Sequence, residues 1–403
     1  MEEDAFSGLK VIDFSWVQAG PNTGNFLADF GAEVIKVESK AYPDLYRTMA
    51  PYKDNIPGVD RGPFLFFNTN KYSITLDLSN PKGIELTKRL ISWADIVIES
   101  FRPGTMKRWD LDYESLTSIK EDIILLSTSI QGQTGIFSHY RGLGTHLIYL
   151  VGLANLIGWP DRAPSGLANP YTDWITTCFA TVAILTAIDY RKRTGKGQHI
   201  DINQYESSAS LLAVPLLDYF TNNRVQGRMG NRHPEAAPHG IYRCKGDDEW
   251  CTIAVFEHVE WQALCKVLAY PDLIEDPRFA SLEDRKHNED ELDSLIEAWT
   301  ITLGNKEVME RLQNAGVAAG QVKSNKELYE DPHLASRQFF QPIEHPEVET
   351  YDWLSWPFRL SKTVPQPGRS PGLGEHNHYI CKDFLSMSDN EFLEFLEAGA
   401  FEN

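Results

Sequence analysis

The pattern that most constrains this chain lies in its first forty residues. Leu9-Lys10-Val11-Ile12-Asp13-Phe14 is a short apolar run suited to a buried strand, and it leads into the turn Ser15-Trp16-Val17-Gln18-Ala19-Gly20-Pro21. A helix fits residues 22–30, with Phe26, Leu27 and Phe30 on one face and Gly31 as its stop. Glu33-Val34-Ile35-Lys36-Val37-Glu38 reads as the next strand. Strand, helix and strand at this spacing make a βαβ unit, which implies parallel strands and a right-handed crossover. The alternation continues with a helix over 81–93, a strand over 96–99, a short helix over 113–119 and strands over 123–127 and 199–202. The expected fold is α/β, a doubly wound Rossmann-like sheet whose ligand crevice lies at the carboxyl ends of its strands. The first turn is not a dinucleotide fingerprint. It offers only Gly20 and Gly24, and Pro21 removes a backbone donor.

A chain of 403 residues is long enough for two or three domains. Composition shifts near 222–238, a stretch rich in Asn, Arg, Gly and Pro, and charged amphipathic segments follow to about Gly320. This reads as a large domain over 1–221, a smaller α+β domain over 222–330, and a segment over 331–403 that returns to the large domain. The tail from Ala335 carries Phe339, Phe340, Trp353, Trp356 and Phe358, which suits a strap across a partner surface. The net charge of −19 repels phosphate backbones, which argues against nucleic acid as a partner. An anionic small ligand needs only a local gathering of cations. Five scattered cysteines without CxxC spacing favour a reducing compartment over a disulfide frame or a metal site. The acidic Met1-Glu2-Glu3-Asp4 lacks the basic character of a signal peptide, and four threonines interrupt the apolar stretch 174–190. The expected location is cytoplasmic, away from any membrane.

Three places could carry chemistry. Trp16 to Pro21 sits where a helix N-terminus can meet an anion, although a tight connection explains it equally well. Ser100-Phe101-Arg102-Pro103-Gly104-Thr105-Met106-Lys107-Arg108 follows a strand end and offers three cations and an aromatic face, though a solvated loop would read the same. Lys36, Lys40, Arg47 and Lys71 add positive charge near other strand ends. Asp173 immediately precedes the long apolar helix. Its bland role is an N-cap; its functional role is an ionised carboxylate able to attack an acyl carbon. His146 reads as a partly buried structural residue, and His233 and His239 lack metal-ligand spacing.

The succession of segments resembles the class III CoA-transferases, the formyl-CoA transferase and carnitine CoA-transferase family. The resemblance is carried by the Val17-Gln18-Ala19-Gly20-Pro21 turn, residues 28–38, Asn70 to Leu78 and Glu99-Ser100-Phe101-Arg102-Pro103-Gly104. Arg193 to Gln198, residues 315–320, Asp331-Pro332-His333-Leu334 and Gly374-Glu375-His376 extend it over nearly the whole chain. It implies that Asp173 is the nucleophile, forming an aspartyl-CoA thioester. Val17, Gln18 and Ala19 would face CoA, and Leu76, Phe101 and Arg108 would line its nucleotide portion. It implies no metal and no cofactor beyond CoA itself. It also implies an intertwined dimer, either a homodimer or a hetero-oligomer with a related subunit.

The chain departs from the family pattern in places. Ser39 replaces an arginine after the second strand, leaving Lys40 for the phosphate contact. Ser79 stands where the formyl enzyme has a lysine, and Ser100 replaces an asparagine in the loop assigned to CoA together with Arg102 and Lys71. The bulky stretch 231–238 replaces a run of glycines and argues against a formyl- or oxalate-sized substrate. The stretch 158–174 resembles transferases for aryl-substituted acids, which suggests succinyl-CoA as donor and benzylsuccinate or another bulky acid as acceptor. Trp16, Trp159, Tyr171 and Trp174 could form an aromatic pocket or simply pack the core. Two rival expectations are an α-methylacyl-CoA racemase, whose Gly-His-Asp element meets Gly144-Thr145-His146 here, and a non-catalytic subunit.

Overall fold

The computed structural model describes residues 4–58 and 62–401. The chain divides into two compact units, one of Met1–Leu153, Gly166–Asn222 and His333–Asn403, the other of Ala154–Ser165 and Asn223–Pro332. Residues 154–165, placed with the first domain by sequence, therefore group with the second unit.

The first unit is built on six parallel strands: β1 (Lys10–Asp13), β2 (Glu33–Glu38), β3 (Tyr72–Thr75), β4 (Ile96–Glu99), β5 (Ile124–Ser129) and β6 (His199–Asn203). Their order is β3-β2-β1-β4-β5-β6, so the direction of winding reverses between β1 and β4. Alternate residues serve opposite faces. Val11, Val34, Ile96, Ile98, Ile124 and Leu126 join one core, while Ile12, Ile35, Val97 and Leu125 join the other. Both faces are buried at the central strands, which is why β1 and β4 read as short apolar runs. β3 went unread because Tyr72-Ser73-Ile74-Thr75 is short and half polar.

The helices of the first unit include α1 (Ala19–Asp29), α2 (Pro81–Trp93), α3 (Tyr113–Ile119), α4 (Gly144–Leu150), α5 (Tyr171–Thr194), α6 (Gln204–Ala209) and α7 (Ala213–Asn222). Helix α1 starts three residues before its expected position because Pro21 is tolerated in a first turn, where its missing N–H would have no intrahelical partner. Leu27 and Ala28 of α1, with Ala180, Ile184, Ala187 and Ile188 of α5, cover one face of the sheet. Leu86, Leu90 and Ile91 of α2 cover the other.

Helix α5 is long and apolar enough in composition to cross a bilayer, yet one side of it is committed to this core. Two of its threonines back-bond along the helix, Thr176 Oγ1 to the Thr172 carbonyl at 2.7 Å and Thr186 Oγ1 to that of Val182 at 2.8 Å.

The second unit carries an antiparallel sheet of β7 (His239–Arg243), β8 (Trp250–Ala254) and β9 (Ala318–Gln321). Trp261, Leu264, Leu292, Ile296, Val308 and Leu312 form its separate core with Phe279. The three helices that supply them are α8 (His258–Val267), α9 (Glu289–Thr300) and α10 (Asn305–Asn314).

The C-terminal segment belongs to the first unit. A hairpin of β10 (Phe340–His345) and β11 (Glu349–Leu354) precedes a last helix, α11 (Asp389–Glu397). Several tail aromatics are spent inside the chain, which corrects the expectation that they serve a partner. Trp353 is buried, and Trp356 packs edge-on to Phe26 while its Nε1 donates to Asp29 at 2.9 Å. Phe358 stacks on Phe30. Ile380, Cys381, Phe395 and Phe401 finish the core beneath α2.

Candidate active site

A cleft of about 430 Å³ opens at the carboxyl ends of β1, β4 and β5, where the winding reverses. It is lined by Trp16, Val17, Gln18 and Ala19 after β1, by Ser100, Phe101 and Arg102 after β4, and by Thr128 and Ser129 at the end of β5. Arg141, Gly144, Asp173 and Gln204 are among the other residues that line it. The two central turns are tied together by the Trp16 amide, which donates to Ser100 Oγ at 2.8 Å, and by an edge-on contact between Trp16 and Phe101. Phe101 N–H donates to the Glu99 carboxylate at 2.7 Å. Burial raises the Glu99 pKa to about 7, against the hydrogen bonds it accepts.

The turn after β1 is shaped from below. Val17 has φ +70°, an unfavourable conformation for a β-branched residue. It is held by the Asp44 carboxylate, which accepts the Val17 N–H at 3.1 and 3.2 Å. Asp44 is itself paired with Lys36 at 3.0 Å, and the Lys36 ammonium also donates to the Ser15 carbonyl. A Cβ on Gly20 would lie 2.3 Å from that of Ser15, so the turn can close this tightly only with glycine there. Gln18 precedes α1 but does not cap it with its side chain. Its Oε1 instead accepts the Tyr46 hydroxyl at 3.1 Å.

Asp173 lies in the first turn of α5, with Pro170 in the cap position, so the expected N-cap role falls away. Its carboxylate faces a wall instead of a helix end. A Cβ on Gly144 would stand 2.5 Å from Asp173 Oδ2. Asp173 is only 8% exposed. Burial pushes its pKa up to about 6, moderated by a hydrogen bond from the Gln204 side chain. At neutral pH it is therefore ionised, poorly solvated and more basic than a surface carboxylate, as suits a nucleophile.

Of the residues singled out by sequence, the structure brings Val17, Gln18, Ala19, Ser100, Phe101, Arg102 and Asp173 to this cleft. Arg108 lies further along the β4 loop, exposed, with Nη2 on Thr105 Oγ1 at 3.3 Å. Lys40 is exposed two residues beyond β2. Lys71 and Leu76 do not line the cleft. The Lys71 ammonium is buried against Asp13 at 2.8 Å, the Pro21 carbonyl and Asn68, and Leu76 packs in the core beneath α2. Lys36 and Arg47 are likewise internal, Arg47 clamping Glu38 through Nε and Nη2. A cation near a strand end thus reads the same in sequence whether it meets a ligand or a buried acid.

His146 is exposed rather than partly buried. Trp159 lies in the second unit against Gly230, while Trp16, Tyr171 and Trp174 belong to the first. Sequence reasoning missed Tyr46, Asp44 and Gln204. Gln204 follows the carboxyl end of β6, and that position was the available signal.

The family model for CoA-transferase family III matches residues 6–377. The chain belongs to CoA-transferase family III. This transferase is 34% identical over 397 residues to the succinyl-CoA–D-citramalate CoA-transferase of Chloroflexus aurantiacus, covering 97% of this chain and 96% of that one. It is 30% identical over 385 residues to the succinate–glutarate CoA-transferase of Agrobacterium fabrum, covering 94% and 96% of the two chains. Among solved structures, a CAIB/BAIF family protein from Brucella suis superposes with a TM-score of 0.86 at 32% identity, over 95% of this chain and 100% of that one. Substrates of this CoA-transferase are accordingly an acyl-CoA and a carboxylic acid.

Proposed function

We propose that this CoA-transferase moves CoA from succinyl-CoA to a dicarboxylic acid through a thioester on Asp173. The observation that carries the reading is the placement of a buried, basic carboxylate in the cleft at the winding reversal, opposite the turn from Trp16 to Ala19. The Asp173 carboxylate attacks the thioester carbonyl, and collapse of the oxyanion expels CoA thiolate and leaves a mixed anhydride. The thiolate attacks the aspartyl carbonyl, releasing succinate and forming aspartyl-CoA. The acceptor carboxylate then attacks aspartyl-CoA, expelling the thiolate, which attacks the acceptor's acyl carbonyl. Acceptor-CoA leaves and the Asp173 carboxylate is restored. Each oxyanion needs a donor. Gln18 Nε2 is buried without a hydrogen-bond partner among the described residues and supplies one. Arg102, exposed at the cleft and paired with no carboxylate among the described residues, suits a CoA phosphate.

The named relatives act on citramalate and glutarate, both dicarboxylic acids. A row of rings beside the nucleophile, Tyr46 to Phe67 at 5.4 Å and Phe67 to Trp174 at 5.7 Å, supports an acceptor with a bulky apolar substituent. Benzylsuccinate is the first such acid to test. Incubation with succinyl-CoA and an acid panel, followed by mass spectrometry, should give new thioesters, and rapid-quench peptide mapping should find CoA on Asp173. An unmodified Asp173 during turnover would refute the covalent route.

The assembly we propose is a dimer with a second copy or a related subunit. Its support is the outward side of α5, which exposes Phe179, Val182 and Leu185, together with Val214, Leu217 and Phe220 on α7. The five unpaired thiols support a cytoplasmic location.

A further inference from the structure

Gln18 is 2% exposed, and its two amide ends have different fates. Oε1 accepts the Tyr46 hydroxyl at 3.1 Å, whereas Nε2 has no partner among the described residues. A buried N–H without an acceptor is costly and rare, and it marks a place where an acceptor is missing. Gln18 lines the same cleft as Asp173. Tyr46 does not sit there by chance of a loose loop. Its backbone N–H donates to Asp44 Oδ1 at 3.0 Å, and its ring rests on Phe67. Burial and the nearby Asp173 and Asp44 carboxylates push the phenol pKa up to about 12, so the hydroxyl keeps its proton at any working pH.

We propose that Tyr46 is a positioning residue: by donating to Gln18 Oε1 it turns Gln18 Nε2 toward the oxyanion that forms when Asp173 attacks the thioester. An amide has two nearly isosteric orientations. The reverse one would present a carbonyl oxygen to a cleft that already holds the Asp173 carboxylate and must stabilise a second negative charge. The phenol hydrogen bond selects the useful orientation before substrate arrives. No proton moves in this step. The π electrons of the thioester carbonyl shift onto oxygen, that oxygen accepts the Gln18 N–H, and the pair returns as CoA thiolate departs. The inference rests on the covalent Asp173 reading and adds to it a residue outside the motifs that carry the family resemblance.

The test compares wild type with Tyr46→Phe, Gln18→Ala and the double variant, using succinyl-CoA and whichever acid the panel identifies. Tyr46→Phe keeps the ring and should lower kcat about three- to tenfold, the worth of one hydrogen bond, with KM for succinyl-CoA nearly unchanged. Gln18→Ala should cost about a hundredfold in kcat, as loss of an oxyanion donor does. The double variant should be no slower than Gln18→Ala, because without the amide there is nothing to orient. Wild-type kcat in Tyr46→Phe, or losses that simply multiply, would overturn the proposal. A second readout needs no turnover. The side-chain amide resonances missing from the spectrum of Gln18→Ala identify Gln18, and they should move in Tyr46→Phe. Amide resonances that stay in place would overturn the Tyr46 role. A wild type that transfers no CoA would instead sink the transferase chemistry, leaving the resonances to decide the hydrogen bond.

Discussion

Asp173 is kept in an environment that favours its neutral form, although its proposed work requires the charged one. Its pKa is raised from 3.8 to about 6, so the folded state holds this proton more tightly than the unfolded chain does. Stability therefore falls as pH rises from about 4 to about 6, and it stays lowered above that, by about 3 kcal/mol at most. Asp173→Asn should remove this cost while abolishing transfer. Urea denaturation should show the variant more stable than wild type by about 1–3 kcal/mol at pH 7.5, the gain shrinking toward zero near pH 4. Gly144 is the complementary position. A methyl group there meets Asp173 Oδ2, so Gly144→Ala should shift the carboxylate and lower kcat about a hundredfold. Isothermal titration should find CoA still bound by that variant.

Among the elements, the turn between β1 and α1 shows what could be read in advance. Its strand, helix and role as a cleft wall were legible because a βαβ repeat leaves few alternatives. The strained Val17 and its dependence on Asp44 were not, because the two residues are 27 positions apart and no periodicity links them. The misreading of Lys36, Lys71 and Arg47 has the same root. Local charge is visible in a sequence, whereas the acid that neutralises it lies on another element. Asp13, Glu38 and Asp44 supply those acids, and their pairing with the three cations builds a buried platform under the turn. Breaking one such pair leaves a buried charge uncompensated. Asp44→Asn should therefore destabilise the protein by about 3–5 kcal/mol, measured by chemical denaturation. Asp173 itself was legible as a candidate, and its surroundings remove the N-cap, one of its two readings. An N-cap would turn its oxygens back on α5, whereas here they face Gly144 and Gln204.

At the scale of the whole molecule, α5 is apolar on every side, and a helix of that kind is normally covered all round. The sheet covers one side of it. The proposed dimer would cover the rest, and light scattering after gel filtration should give about twice the chain mass of 45.7 kDa. Val182→Glu on the exposed side should shift the population toward monomer without disturbing the sheet core.

The C-terminal residues have another consequence. Asp77 N–H bonds to the Ala400 carbonyl, and Phe401, together with Ile380, Cys381, Met387, Phe395 and Ala400, closes a core whose remaining buried residues all precede 126. During synthesis the early strands must wait, with one greasy surface bare, until residues 380–401 have been made. A nascent chain is thus expected to need chaperone shelter until those residues have emerged and covered that surface.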